Sequence, residues 1–176
     1  MYARHTFPAF FIFLFSLNGT RLQLSGAHEC LKEGLMLDKR TVHQKVQEEC
    51  DCFATADPLR EMAALPGESD PVEGALKWIA LAVLHGIDRN AKKITLGRKP
   101  GGKICVTAEY RETELPEPSA RIGEKVFEAI KAITHIEGEK GKMPVVIGIR
   151  DSSIEIEVKL KQNSEEEEVV LKFPKE

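Results

Sequence analysis

At 176 residues the chain can hold one domain with a full core and a further segment besides. Hydrophobic residues make up 42% and charged residues 30%, and the formal net charge of -3 lacks the basic excess of a typical nucleic-acid-binding domain. No solenoid-length repeat is present, and beyond residue 27 no apolar stretch reaches membrane-spanning length, so a repeat array and a membrane span there are not expected.

The first element is FPAFFIFLFSL, Phe7 to Leu17, an apolar run of signal-peptide length behind Arg4. Ser25-Gly26-Ala27 supplies small residues for cleavage, whereas Arg21 and the thin basic flank speak against export. Residues 1–27 read as a hydrophobic leader. It is either signal-like or lies ahead of a later translation start at Met36 or Met62.

Residues 28–66 read as a helical segment. Asp38 or Thr41 opens a helix that places Val42, Val46 and Cys50 at i, i+4 and i+8. Pro58 restarts the chain as a short helix, and residues 67–70 form a linker. His28, Cys30, His43, Cys50 and Cys52 are the residue types that bind zinc. Their H-x-C and C-x-C spacings are tight for wrapping one ion, and a cysteine on a helical face is commonly a small buried hydrophobe. No metal or other cofactor is therefore assigned. The cysteine pattern shows no disulfide framework and suits a reducing compartment.

Residues 71–174 read as a compact α+β domain. Asp70-Pro71-Val72-Glu73 has an N-cap, a proline at the first helical position and an acid placed to reach back. The helix behind it shows one apolar face, with Leu76, Ile79, Ala80, Val83 and Leu84, and ends at His85-Gly86 with Gly86 as a left-handed cap. KKITLGR and KICVTAEYR alternate as strands. Pro116 and Pro118 break the chain before a second helix carrying Ile122, Val126, Phe127, Ile130 and Ile133. Three strands close the domain, with Asp151-Ser152 and Asn163-Ser164 at the turns. The order is α-β-β-α-β-β-β, a mostly antiparallel sheet with two packed helices.

Between the first two strands, GRKPGGKI comes within one residue of the G-x-x-x-x-G-K-[ST] phosphate loop, failing at Ile104. A working loop opens a helix, and here a strand pattern follows, so Pro100-Gly101-Gly102 reads as a hairpin turn. Arg98, Lys99 and Lys103 at its tip are candidates for contact with an anion or a protein partner. His85 and His135 are expected at helix ends, and Glu165 to Glu168 as a solvated loop. No nucleophile, base and orienter assemble from these residues, so no catalytic residue is assigned.

The succession in 71–174 resembles the domain that precedes the ATPase core in type II secretion and type IV pilus assembly ATPases. Ala91-Lys92-Lys93-Ile94-Thr95-Leu96 keeps the apolar skeleton of that domain's A-S-D-I-H-I segment, and Val106 to Glu112 stands where it has V-R-Y-R-I-D-G. Leu115-Pro116 precedes the helix, and Ala129-Ile130-Lys131 resembles its R-I-K. Lys92-Lys93 replaces Ser-Asp, Thr95 replaces His, and Thr107 and Glu109 stand where the family has arginines. The resemblance implies a stand-alone relative without the ATPase core. Such a relative is a non-catalytic, cytoplasmic protein-interaction or regulatory module whose partners are secretion or pilus components. An exported accessory or ligand-binding protein with a cleaved leader is the alternative. A metal- or redox-responsive regulator using Cys30, Cys50 and Cys52 is a third reading.

Overall fold

The computed structural model describes residues 40–110, 113–164 and 166–174. The leader 1–27, and with it His28 and Cys30, lies outside the described residues. Among those residues, four α-helices pack on a six-stranded antiparallel sheet, an α+β fold.

Each helix start follows from local hydrogen-bonding chemistry. Helix α1 (Val42–Phe53) opens at Thr41 with a reciprocal capping box: Gln44 N–H donates to Thr41 Oγ1 at 3.2 Å, and Thr41 N–H donates to Gln44 Oε1 at 2.8 Å. Asp57 caps α2 (Pro58–Ala64), and one 3₁₀ turn, Leu65–Gly67, leads on. Asp70 caps α3 (Pro71–Asp88), accepting from Val72 N–H at 2.8 Å and Glu73 N–H at 3.4 Å. Glu73 does not reach back as the sequence pattern suggests. Its carboxylate lies 2.8 Å from Lys77 Nζ one turn on, and Lys77 also holds Glu68 at 2.8 Å. Ser119 caps α4 (Ala120–Thr134), which ends on His135 in the left-handed conformation.

The strands are β1 (Lys93–Arg98), β2 (Ile104–Glu109), β3 (Thr113–Glu114), β4 (Lys140–Ile149), β5 (Ser152–Gln162) and β6 (Glu167–Lys172). Their order across the sheet is β3-β2-β1-β6-β5-β4. The final strand thus returns to pair with β1 at the centre, and β4 is left at one edge. The two-residue β3 is too short for an alternating pattern to announce it. Period-two alternation sends Ile94, Leu96, Val106, Val158, Leu160 and Leu171 into the core with the helices. Val46 and Cys50 of α1 have no exposed surface and join that same core.

Helix α3 departs from the one-faced pattern. From Gly74 to Gly86 every residue except Lys77 is buried, because α1, α2, α4 and β1 all pack on it. It also runs past Gly86 to Asp88, and the left-handed residue after it is Asn90, with φ 48°. Gly86 has a different reason to be glycine. A Cβ there would fall 2.0 Å from Phe173 Cζ, so the ring after β6 sits directly on the α3 backbone. No described helix is long and apolar enough to cross a membrane.

Gly86→Ala is expected to destabilise the protein by about 1–3 kcal/mol through overpacking, measured by denaturant unfolding. In a Phe173→Leu background the same change should cost much less. Equal costs in both backgrounds would remove Phe173 as the cause.

Candidate functional site

The near phosphate loop is a hairpin. Strands β1 and β2 pair from Lys93↔Glu109 to Arg98↔Ile104. Lys99 N–H donates to Lys103 O at 2.9 Å, and Gly102 N–H donates to Lys99 O at 3.0 Å. Gly101 (φ 90°) and Gly102 (φ 81°) occupy backbone conformations that glycine alone adopts freely. A strand follows Lys103, so the loop does not open a helix as a working phosphate loop does.

Only two of the three basic candidates project from this tip. Lys99 and Lys103 are exposed. Arg98 lies at a core-side position of β1 and turns to α4 and β6. Its guanidinium is 2.7 Å from Glu167 and 3.7 Å from Glu124, and Lys131 meets Glu167 at 3.2 Å. Glu167 is buried, which corrects the expectation of a solvated Glu165–Glu168 run. A carboxylate removed from water needs paired charge, and two cations supply it.

The metal candidates on α1 are engaged separately. His43 Nε2–H donates to the Val146 carbonyl at 2.8 Å. Cys50 is buried, with Sγ 4.0 Å from Ala80 O, and burial pushes its thiol up to about 12. Cys52 is half-buried. The described residues hold no group of three or more His, Cys, Asp or Glu placed to share a metal ion.

His85 stands in the last turn of α3, at the helix end where the sequence places it. It is buried, and its Nε2 lies 3.0 Å from the Tyr110 hydroxyl, with the rings edge to face. A cavity of about 380 Å³ beside it is lined by Leu59, Asp88, Arg89 and Tyr110. Burial holds the imidazole below its ordinary value of 6.5. Arg89 acts in the same direction, and Asp88 and Asp57 act against it. A histidine that stays neutral in the fold and protonates when unfolded stabilises above about pH 6.5 and loses that contribution as pH falls below it. The stability of the wild type minus that of His85→Gln should therefore decline from pH 7 to 5 in equilibrium unfolding. A flat difference would show that His85 titrates alike in both states.

With the helices on one face, the opposite face of the sheet carries the largest polar pattern. Three cross-strand rows run over β2, β1, β6, β5 and β4. They read Glu109-Lys93-Lys172-Glu157-Pro144, Thr107-Thr95-Val170-Lys159-Lys142 and Cys105-Gly97-Glu168-Lys161-Lys140. Lysines thus oppose lysines directly at Lys93↔Lys172, Lys142↔Lys159 and Lys140↔Lys161. Such pairs are unfavourable unless something answers them. Glu109 lies 2.9 Å from Lys93. Glu157 sits among Lys159 at 3.2 Å, Lys142 at 3.8 Å and Lys172 at 3.8 Å. The hydrogen bond from Lys159, with Lys142 and Lys172 nearby, holds the Glu157 carboxyl below its usual range; the Lys159 ammonium lowers Lys172. Neither Lys140 nor Lys161 makes an ion pair with a described residue. A groove of about 450 Å³ between β4 and β5 is lined by these four lysines, and a second concavity of about 170 Å³ shares Lys161 and Glu168 with it.

Sequence reasoning missed Lys140, Lys142, Lys159 and Lys161. The signal was two K-x-K steps on consecutive strands, and it acquires meaning only through the β4–β5 register. Comparison with protein-family models and with curated proteins returns no match for this chain.

Proposed function

We propose that residues 71–174 and the helices packed on them form a non-catalytic protein-interaction or regulatory module, which binds its partner through the open sheet face. The observation that carries this reading is the set of opposed lysine pairs on a face that no described helix covers. On this face Lys140 and Lys161 stand without an ion pair among the described residues, concavities lie beside them, and no nucleophile and base converge there. The resemblance in residues 71–174 puts the partner among type II secretion or type IV pilus components and the module in the cytoplasm.

A photocrosslinking side chain placed at Thr95, in the middle of the face, should trap one discrete protein in the cell of origin. The same group at Glu128, exposed on α4, should not. Absence of an adduct at Thr95, or identical adducts at both sites, would sink the module reading. Adducts containing no secretion or pilus component would remove that association alone. Titration with ATP and Mg²⁺ should show no binding that depends on Lys103. Binding abolished by Lys103→Ala would restore the phosphate-loop reading.

A further inference from the structure

Strand β4 is the long free edge of the sheet, and its two halves differ. Its second half is closed by α1. His43 donates to the Val146 carbonyl at 2.8 Å, Arg150 N–H donates to Asp51 Oδ1 at 2.7 Å, and Gln47 packs beside Gly148. Because the Val146 carbonyl points away from β5, the main-chain groups of Lys142 and Pro144, at the same parity, point to the same free edge. Proline belongs in such a position, where its missing N–H leaves no ladder bond broken. The first half, Lys140 to Pro144, is exposed apart from half-buried Gly141, where Ile136 packs from the helix side, and no described element other than β5 hydrogen-bonds to its backbone.

We infer that this half of β4 receives an extended segment of a partner protein as an added antiparallel or parallel strand, and that the segment alternates acidic and apolar residues. The inference deepens the module reading above and rests on it. Strand addition supplies main-chain hydrogen bonds at a free edge, while the side chains along that edge set the specificity. On the open face, a seventh strand would set its side chains beside Lys140 and Lys142, each already opposed by a lysine on β5. Carboxylates there would answer the repulsion, most of all at Lys140↔Lys161, which lacks an ion pair among the described residues. On the helix side, the intervening position meets Met143, an exposed apolar side chain at 40%. One strand with alternating chemistry satisfies both faces.

A continuous polyanion fits less well. Glu157 and Glu168 stand among the same lysines, so a nucleic-acid backbone or anionic membrane would meet carboxylates as well as ammonium groups. Discrete carboxylates two residues apart match the spacing of the lysines along β4.

The test uses the full chain and a short fluorescein-labelled peptide of alternating Glu and Val, followed by anisotropy at about 50 mM NaCl, where screening is modest. Saturable binding is expected, weakened about tenfold or more in Lys140→Glu/Lys161→Glu, with the thermal midpoint of that surface variant unchanged. N-methylation of alternate peptide amides, in both registers, should weaken binding at least as much in one register, because it removes the ladder donors. Amide exchange at Lys142 should slow on binding. No saturation at about 1 mM peptide overturns the inference. So does equal binding by both N-methylated peptides, or equally effective competition by oligothymidylate or phosphatidylserine vesicles. None of these results touches the module reading, which the Thr95 crosslink decides separately.

Discussion

The fold depends on enclosing α3. A helix with apolar residues all round must be covered on every side, and α3 is buried from Gly74 to Gly86 with Lys77 as the sole break. The sheet covers one side, and α1, α2 and α4 cover the others. Two details show how tight the enclosure is. Phe173 rests on bare backbone at Gly86, and the Trp78 indole N–H has no partner among the described residues. An unmade hydrogen bond costs about 1–3 kcal/mol, and burying the indole ring recovers more than that by area. Packing therefore decides the position of Trp78.

Enclosing α3 also determines where function can sit. Every described helix is drawn to the same side of the sheet, so the other side keeps its polar alternation. Rows of charge on such a face contribute little to stability, since exposed pairs are each worth about 0–1 kcal/mol. The opposed lysines persist because the core dominates the energetics. Charge on this face is therefore little constrained by folding. The same logic explains α1: it is needed over α3, and from there its His43 and Asp51 close half of the β4 edge. The other half lies beyond its reach.

The elements were largely legible in the sequence because their signals are local. Caps at Thr41, Asp57, Asp70 and Ser119 need only a side chain two or three residues from the amide it accepts from. Alternation and turn glycines marked the β1–β2 hairpin for the same reason. The failures were all matters of tertiary placement. Gly86 resembled a helix stop, and only the arrival of Phe173, 87 residues later, shows it as a contact point. His85 does stand at a helix end, but its burial against Tyr110 has no local signal, because Tyr110 comes from beyond β2. Glu167 belonged to an acidic run in sequence, and strand parity turned it inward to Arg98 and Lys131. The lysine pairs on β4 and β5 required a register, which sequence periodicity alone leaves undetermined.

Arg98 shows why the apparent phosphate loop and the lysine face are separate. In a phosphate-binding loop, basic and backbone donors converge on one point in front of a helix. Here period-two geometry divides the basic residues. Arg98 goes to the core side to neutralise Glu167, and Lys99 and Lys103 go to solvent at the tip. The pairing with Glu167 also ties β1 and β6 to α4 through Glu124 and Lys131. Removing Arg98 for anion binding would leave a buried carboxylate with one cation, a destabilising exchange. The glycines that complete the near-motif serve the turn. The unanswered positive charge lies elsewhere, across the β4–β5 register.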